Sequence, residues 1–121
     1  MPHLLGALPW SFNRTHYPDA AHFVAAVEQY SQRIFGRPAP WQPEAYVLSA
    51  THIRLAYEAA RGGYMDDATT TVSTDDPQGF TAGELLWRIH EALADDELAD
   101  HCFFEGISPV KGDVYRLHQG S

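Results

Sequence analysis

Thr81-Ala82-Gly83-Glu84, preceded by Phe80 and followed by Leu85, is the feature that most limits how this chain can fold. The spacing is that of a capping box. The Thr81 hydroxyl can accept from the amide of residue 84, and the Glu84 carboxylate can reach back to the amide of Thr81. Phe80 and Leu85 stand where a hydrophobic staple closes, and Glu84 suits the positive end of the helix dipole. A helix therefore starts at this point. Leu85, Leu86, Ile89 and Leu93 recur at helical spacing and form a stripe wide enough to face a core. Trp87 falls on the far side of that stripe. It suits either a place beneath a loop or an exposed anchor for a partner. Asp95, Asp96 and Glu97 carry charge of the wrong sign for a helix C-terminus, so the helix is expected to end near Ala94, with a short turn through Leu98. His101 to Glu105 then reads as a short buried strand closed by Gly106.

The remaining elements are read around that helix. Tyr17 to Phe35 is expected to be helical, with Pro18 and Asp19 in its first turn and Gly36 just past its end. Ala20, Phe23, Val24, Val27, Tyr30, Ser31 and Ile34 share one face. Arg37 to Pro43 contains three prolines and forms a stiff connector. Glu44 to Arg61 fits two structures. As a strand it places Ile53, Leu55 and Tyr57 on one face and His52, Arg54 and Glu58 on the other, with a bulge near Ser49 to Thr51. As a helix it aligns Ile53, Ala56, Tyr57 and Ala60, with Gly62 as a cap. The strand is preferred because Ala68 to Thr74 is strongly β-forming, and Gly62-Gly63 can turn the chain between them. Val114 to His118 is a last strand, pairing with His101 to Glu105 across the turn-rich Ser108 to Asp113. Residues 1 to 16 are too apolar for a free tail. They are expected to pack on the body, to form an edge strand or to make a dimer contact. The fold class is thus α+β in a single domain over residues 1–121: two helices on an antiparallel sheet, ordered helix, hairpin, helix, hairpin.

Composition narrows the function classes. A chain of 121 residues suits one domain, and its single cysteine cannot form an internal disulfide. No apolar run approaches a membrane span, and the start lacks a basic leader, so a cytoplasmic location is expected. The net charge is −8. Residues 66–100 hold ten carboxylates against one base, Arg88, a balance of −9, and the remaining six acids and seven bases give +1. Such a field repels nucleic acid and attracts basic partners, or it simply keeps the surface solvated.

Three functions follow. The first is a non-enzymatic acidic module for a basic protein partner, comparable with an immunity protein only in size and charge, using Trp87, Glu91, Asp95, Asp96 and Glu97. The second is a small metal protein or cysteine enzyme. His90, His101, Cys102 and Glu105, with Glu91 and Asp100 nearby, supply metal-ligating atoms, and Cys102 is a nucleophile if an imidazole approaches it. Strand alternation works against this set, because it sends His101 and Cys102 to opposite faces. The third is a subunit of a homo-oligomer, so the chain is a monomer or a homodimer. The paired carboxylates lack the alternate spacing of calcium loops. Phosphate-cradling glycine loops are absent, and no cofactor, catalytic set or membrane contact is read.

Overall fold

The computed structural model describes residues 3–62, 64–98 and 101–120, and Asp100 lies outside these. The elements in chain order are α1 (Ala20–Phe35), β1 (Tyr46–Leu48), β2 (His52–Arg61), β3 (Tyr64–Ser73), β4 (Phe80–Thr81), α2 (Ala82–Leu93), β5 (Phe103–Lys111) and β6 (Val114–Gly120). The molecule is α+β, with both expected helices and both hairpins present.

The helix ends follow their caps. Thr81 accepts from the amide of Glu84 at 3.2 Å and opens α2. Asp19 accepts from the amide of His22 at 2.9 Å and opens α1 three residues later than Tyr17. Pro18 thus precedes the helix rather than joining it. Gly36 closes α1 in the left-handed region, φ 68°. The apolar face of α1 is narrower than its sequence suggests: Phe23 and Val27 are buried, whereas Ile34 is 53% exposed in the last turn.

Within Glu44 to Arg61, Tyr46–Leu48 and His52–Arg61 are strands, and the helical alternative is overturned. The register break at Ser49 to Thr51 is larger than a bulge, because it passes the chain between sheets: β1 pairs with β4, and β2 pairs with β3. The main sheet has the order β3-β2-β6-β5. It is mixed rather than purely antiparallel, since β2 runs parallel to β6 over Arg54–Ala56 and Val114–Arg116. The crossover through α2 makes that parallel contact possible. The short strands β1 and β4 and this parallel join replace the simple helix-hairpin-helix-hairpin scheme.

The second hairpin is longer than expected. Residues 108–111 continue β5, which carries register shifts between Phe104 and Ile107 and between Pro109 and Lys111, and Gly112-Asp113 is the turn. Gly106 does not end the strand. It sits inside β5 at φ 97°, and a Cβ there would lie 2.7 Å from His3 Cβ and 2.9 Å from Gly6 Cα. Glycine is required because residues 3–12 run against β5. Leu4 and Ile107 exchange both backbone bonds, the Phe12 amide donates to the Cys102 carbonyl, and the Phe104 amide donates to the Trp10 carbonyl. The N-terminal segment therefore packs on the body as an interrupted edge strand.

One face of the sheet carries Ile53, Leu55, Tyr57, Ala68, Val72, Ile107 and Leu117 into the core. The α2 stripe of Leu85, Leu86, Ile89 and Leu93 covers it, with Phe23, Val27, Leu8, Trp10 and Phe12. Every stripe residue predicted for α2 is buried. The other sheet face meets solvent.

Beyond Ala56, β2 and β6 separate, and a side chain fills the gap. Gln119 accepts from the Glu58 amide at 2.7 Å and donates to the Glu58 and His101 carbonyls, both at 2.9 Å. One amide side chain thus stands in for a missing stretch of ladder.

Candidate functional site

The acidic end of α2 is the candidate site. Asp95, Asp96 and Glu97 follow the last turn of the helix, where backbone carbonyls already disfavour anions. Neighbouring elements offset that cost. Arg14 reaches Glu97 at 3.2 Å. His16 sits between Glu91 at 3.0 Å and Asp95 at 2.9 Å. The Tyr17 amide donates to Glu91 at 3.1 Å, and the Tyr57 hydroxyl donates to Asp96. The His16 pKa is raised above its usual range, first by the hydrogen bond to Asp95 and then by that to Glu91. Loop residues 13–17 therefore lie along α2 as a polar strap.

Trp87 lies half-buried beneath this strap. Its indole N–H donates to the Tyr17 carbonyl at 3.1 Å, and the Arg88 guanidinium stands 4.6 Å above its ring. Of the two places considered for it, the one beneath a loop is occupied.

The sheet contributes further acids. The Ala60 amide donates to the Glu97 carbonyl at 2.6 Å, which brings the turn end of the β2–β3 hairpin beside the α2 C-terminus. Asp66 and Asp67 stand on that hairpin, and Arg116 lies 3.4 Å from Glu58 and 3.5 Å from Asp67. Among the described side chains, Glu91, Asp95, Asp96 and Glu97 stand with Arg14 on the α2 side of the sheet, whereas Glu58 and Asp67 stand with Arg116 on its open face; with Asp66 on the same hairpin, the seven carboxylates and two guanidinium groups balance at −5 with imidazoles neutral. The acidic stretch read from the sequence is divided, however. Asp76 accepts from the Tyr46 hydroxyl beside the β1–β4 pair, and Glu84 binds Arg88 at 3.1 Å in the first half of α2.

The metal-ligand set does not come together. His90 is fully buried, 0% exposed. Its Nε2 donates to the Thr15 carbonyl at 2.7 Å, and its Nδ1 accepts from the Trp10 indole at 3.3 Å. Both ring nitrogens are spent on one neutral tautomer. The rings of Trp10, Phe12, Tyr17 and Phe23 surround it at 5.2–6.0 Å between centroids. Burial lowers its pKa. His101 Nδ1 stands 4.0 Å from Glu58, and Glu105 is exposed on β5. Among the described residues no group of three or more His, Cys, Asp or Glu side chains is arranged to hold a metal ion. Cys102 is half-buried, 3.7 Å from the Ser11 hydroxyl, and it lines a 170 Å³ cavity with Phe12, Arg14, Asp96 and Glu97.

Sequence reasoning missed Arg14, His16, Tyr17 and Tyr57 as parts of this site. The available signal was Arg14 and His16 closely spaced in a segment otherwise read as apolar. A second polar constellation was missed on the open sheet face. His3 stacks on His118 with centroids 3.7 Å apart, and His118 Nε2 lies 2.7 Å from the Ser108 hydroxyl.

Comparison with known proteins yields no matching family model, no matching curated protein and no matching solved structure. Among the described residues, no helix is long and apolar enough to cross a membrane.

Proposed function

We propose that this chain is a non-enzymatic acidic module that binds a basic protein partner, in the manner of an immunity protein that neutralises a basic toxin. The contact surface is the end where α2, its following turn and the β2–β3 hairpin converge. One observation carries the reading: carboxylates of the α2 end and of the β2–β3 hairpin flank that end from both sides of the sheet and outnumber their guanidinium partners by five among the described side chains. Asp95 and Asp67 are prominent there, with side chains 87% and 81% exposed. A fixed field of one sign raises the encounter rate with an oppositely charged surface and disfavours acidic competitors. Trp87 serves this surface from beneath by holding the 13–17 strap, and Glu91, Asp96 and Glu97 are held by that strap and by Tyr57.

The test is capture of basic proteins from the source cells by the purified chain. Capture is expected at about 50 mM salt and is expected to be lost by about 500 mM, where screening shortens to a few ångströms. A variant carrying Asp67→Asn, Asp95→Asn and Glu97→Gln, with an unchanged melting profile, is expected to capture less. Equal capture by that variant would sink the reading.

A further inference from the structure

The two edges of the main sheet are treated differently. The β5 edge is covered by the chain's own residues 4–12, through the Leu4–Ile107, Trp10–Phe104 and Phe12–Cys102 bonds. The β3 edge has no such cover: among the described residues, β3 pairs with β2 alone. Which groups it leaves open follows from the register. The β2 residues Arg54, Glu58 and Ala60 direct their amides away from β3, to Asp113, Gln119 and Glu97. Their partners in β3 are Thr71, Asp67 and Met65. Antiparallel pairs alternate between bonded and unbonded, so these β3 residues, with Thr69 and Ser73, also point their N–H and C=O groups outward. The Asp67 amide is taken by the Asp66 carboxylate at 2.9 Å. Thr69, Thr71 and Ser73 are left as a row of outward backbone groups, and all three are exposed.

We propose that β3 accepts an extended basic segment of the partner protein as a fifth, antiparallel strand. This rests on the acidic-module reading and specifies how the partner is held. Main-chain bonds to Thr69 and Thr71 would supply the affinity. The charge supplies direction. Asp66 and Asp67 lie at the turn end of β3, paired with Ala59 and Glu58, so the incoming strand ends in Lys or Arg there. Thr69, Thr70, Thr71 and Val72 follow in β3 and favour β-branched neighbours across the strand pair.

The probe is a labelled peptide, Thr-Val-Thr-Val-Thr-Lys-Lys-Lys, added to the intact chain. Hydrogen exchange at the Thr69 and Thr71 amides is expected to slow about tenfold or more when the peptide is bound. Thr69→Pro removes an outward amide without touching a bond to β2, and is expected to weaken binding on the order of tenfold, the equivalent of one backbone hydrogen bond. Asp66→Asn with Asp67→Asn is expected to weaken binding at low salt and to matter less at high salt. Unchanged exchange at Thr69 and Thr71, or full-strength binding by Thr69→Pro, overturns the proposal. A concentration-dependent dimer that Thr69→Pro abolishes also overturns it, because the occupant would then be a second copy. Salt-dependent capture of basic proteins that survives Thr69→Pro leaves the acidic-module reading standing while the added strand fails.

Discussion

At the scale of single residues, the polar groups in this molecule are distinguished by how completely their bonds are used. His90 is the clearest case. It was a metal-ligand candidate because imidazole is a common ligand, yet it serves as a two-ended connector inside a ring of aromatic side chains, joining the Trp10 indole to the Thr15 carbonyl. His90→Leu is close in size but strands both partners. The Trp10 indole is buried, and an unpaired buried group costs about 1–3 kcal/mol, so a loss of that order is expected in denaturant unfolding. An unchanged midpoint and slope would mean that the two bonds contribute nothing. Gln119 follows the same logic on the sheet side, where its amide completes the backbone of Glu58.

At the scale of elements, the N-terminal segment is the part most dependent on its neighbour. Residues 3–12 have no regular periodicity, and they are ordered by β5 rather than by themselves. The fit is tight at Gly106, whose positive φ and missing Cβ let Gly6 and His3 approach. Gly106→Ala forces both a strained backbone and a clash, so it is expected to cost more than the roughly 1 kcal/mol of an ordinary glycine replacement. The amides of Leu4 and Ile107 should then exchange faster, while those in the middle of β2 stay protected. Equal loosening of both regions would show that the segment is not a separable element. The α2 helix behaves in the opposite way. Its cap and its buried stripe lie within fifteen residues of sequence; the stripe formed as read, and of the capping box the Thr81 half formed while the Glu84 carboxylate binds Arg88.

At the scale of the whole molecule, histidines of opposite response hold the N-terminal segment. His16 is tied to Glu91 and Asp95, and its raised pKa means that the folded state binds the proton more tightly than the unfolded chain does. Its stabilisation is therefore complete below the unfolded value and fades as pH rises through the folded one. His118 is shifted the other way, first by burial and then by His3 and Arg116, against an opposing pull from Glu105. Its stabilisation, like that of the buried His90, is present above the unfolded value and is lost as pH falls. Melting compared at about pH 8 and pH 5.5, on either side of the ordinary imidazole value, separates them. His16→Ala is expected to lose more stability relative to wild type at the lower pH. His118→Phe, which keeps the stack on His3, is expected to resist acid better than wild type. An equal loss at both pH values for His16→Ala, or an unchanged acid sensitivity for His118→Phe, would contradict the assignment.

Local chemistry was legible from the sequence alone. The Thr81–Glu84 cap, the α2 stripe, the Gly36 stop and the alternation of Ile53, Leu55 and Tyr57 each involve residues close together in the chain, so propensity and period suffice to find them. What lay beyond reach was every pairing between distant residues. Nothing local says that Ser49 to Thr51 moves the chain from one sheet to another, that β2 meets β6 in parallel, or that Gly106 is reserved for Gly6. The division of the acidic stretch was equally hidden, because charge read along a chain says nothing about where helices and hairpins carry it. Tertiary packing decided which carboxylates meet Arg14, His16 and Tyr57 and which stand apart by Tyr46. Those contacts bring residues more than thirty positions apart within hydrogen-bonding distance, and only the folded core sets that distance.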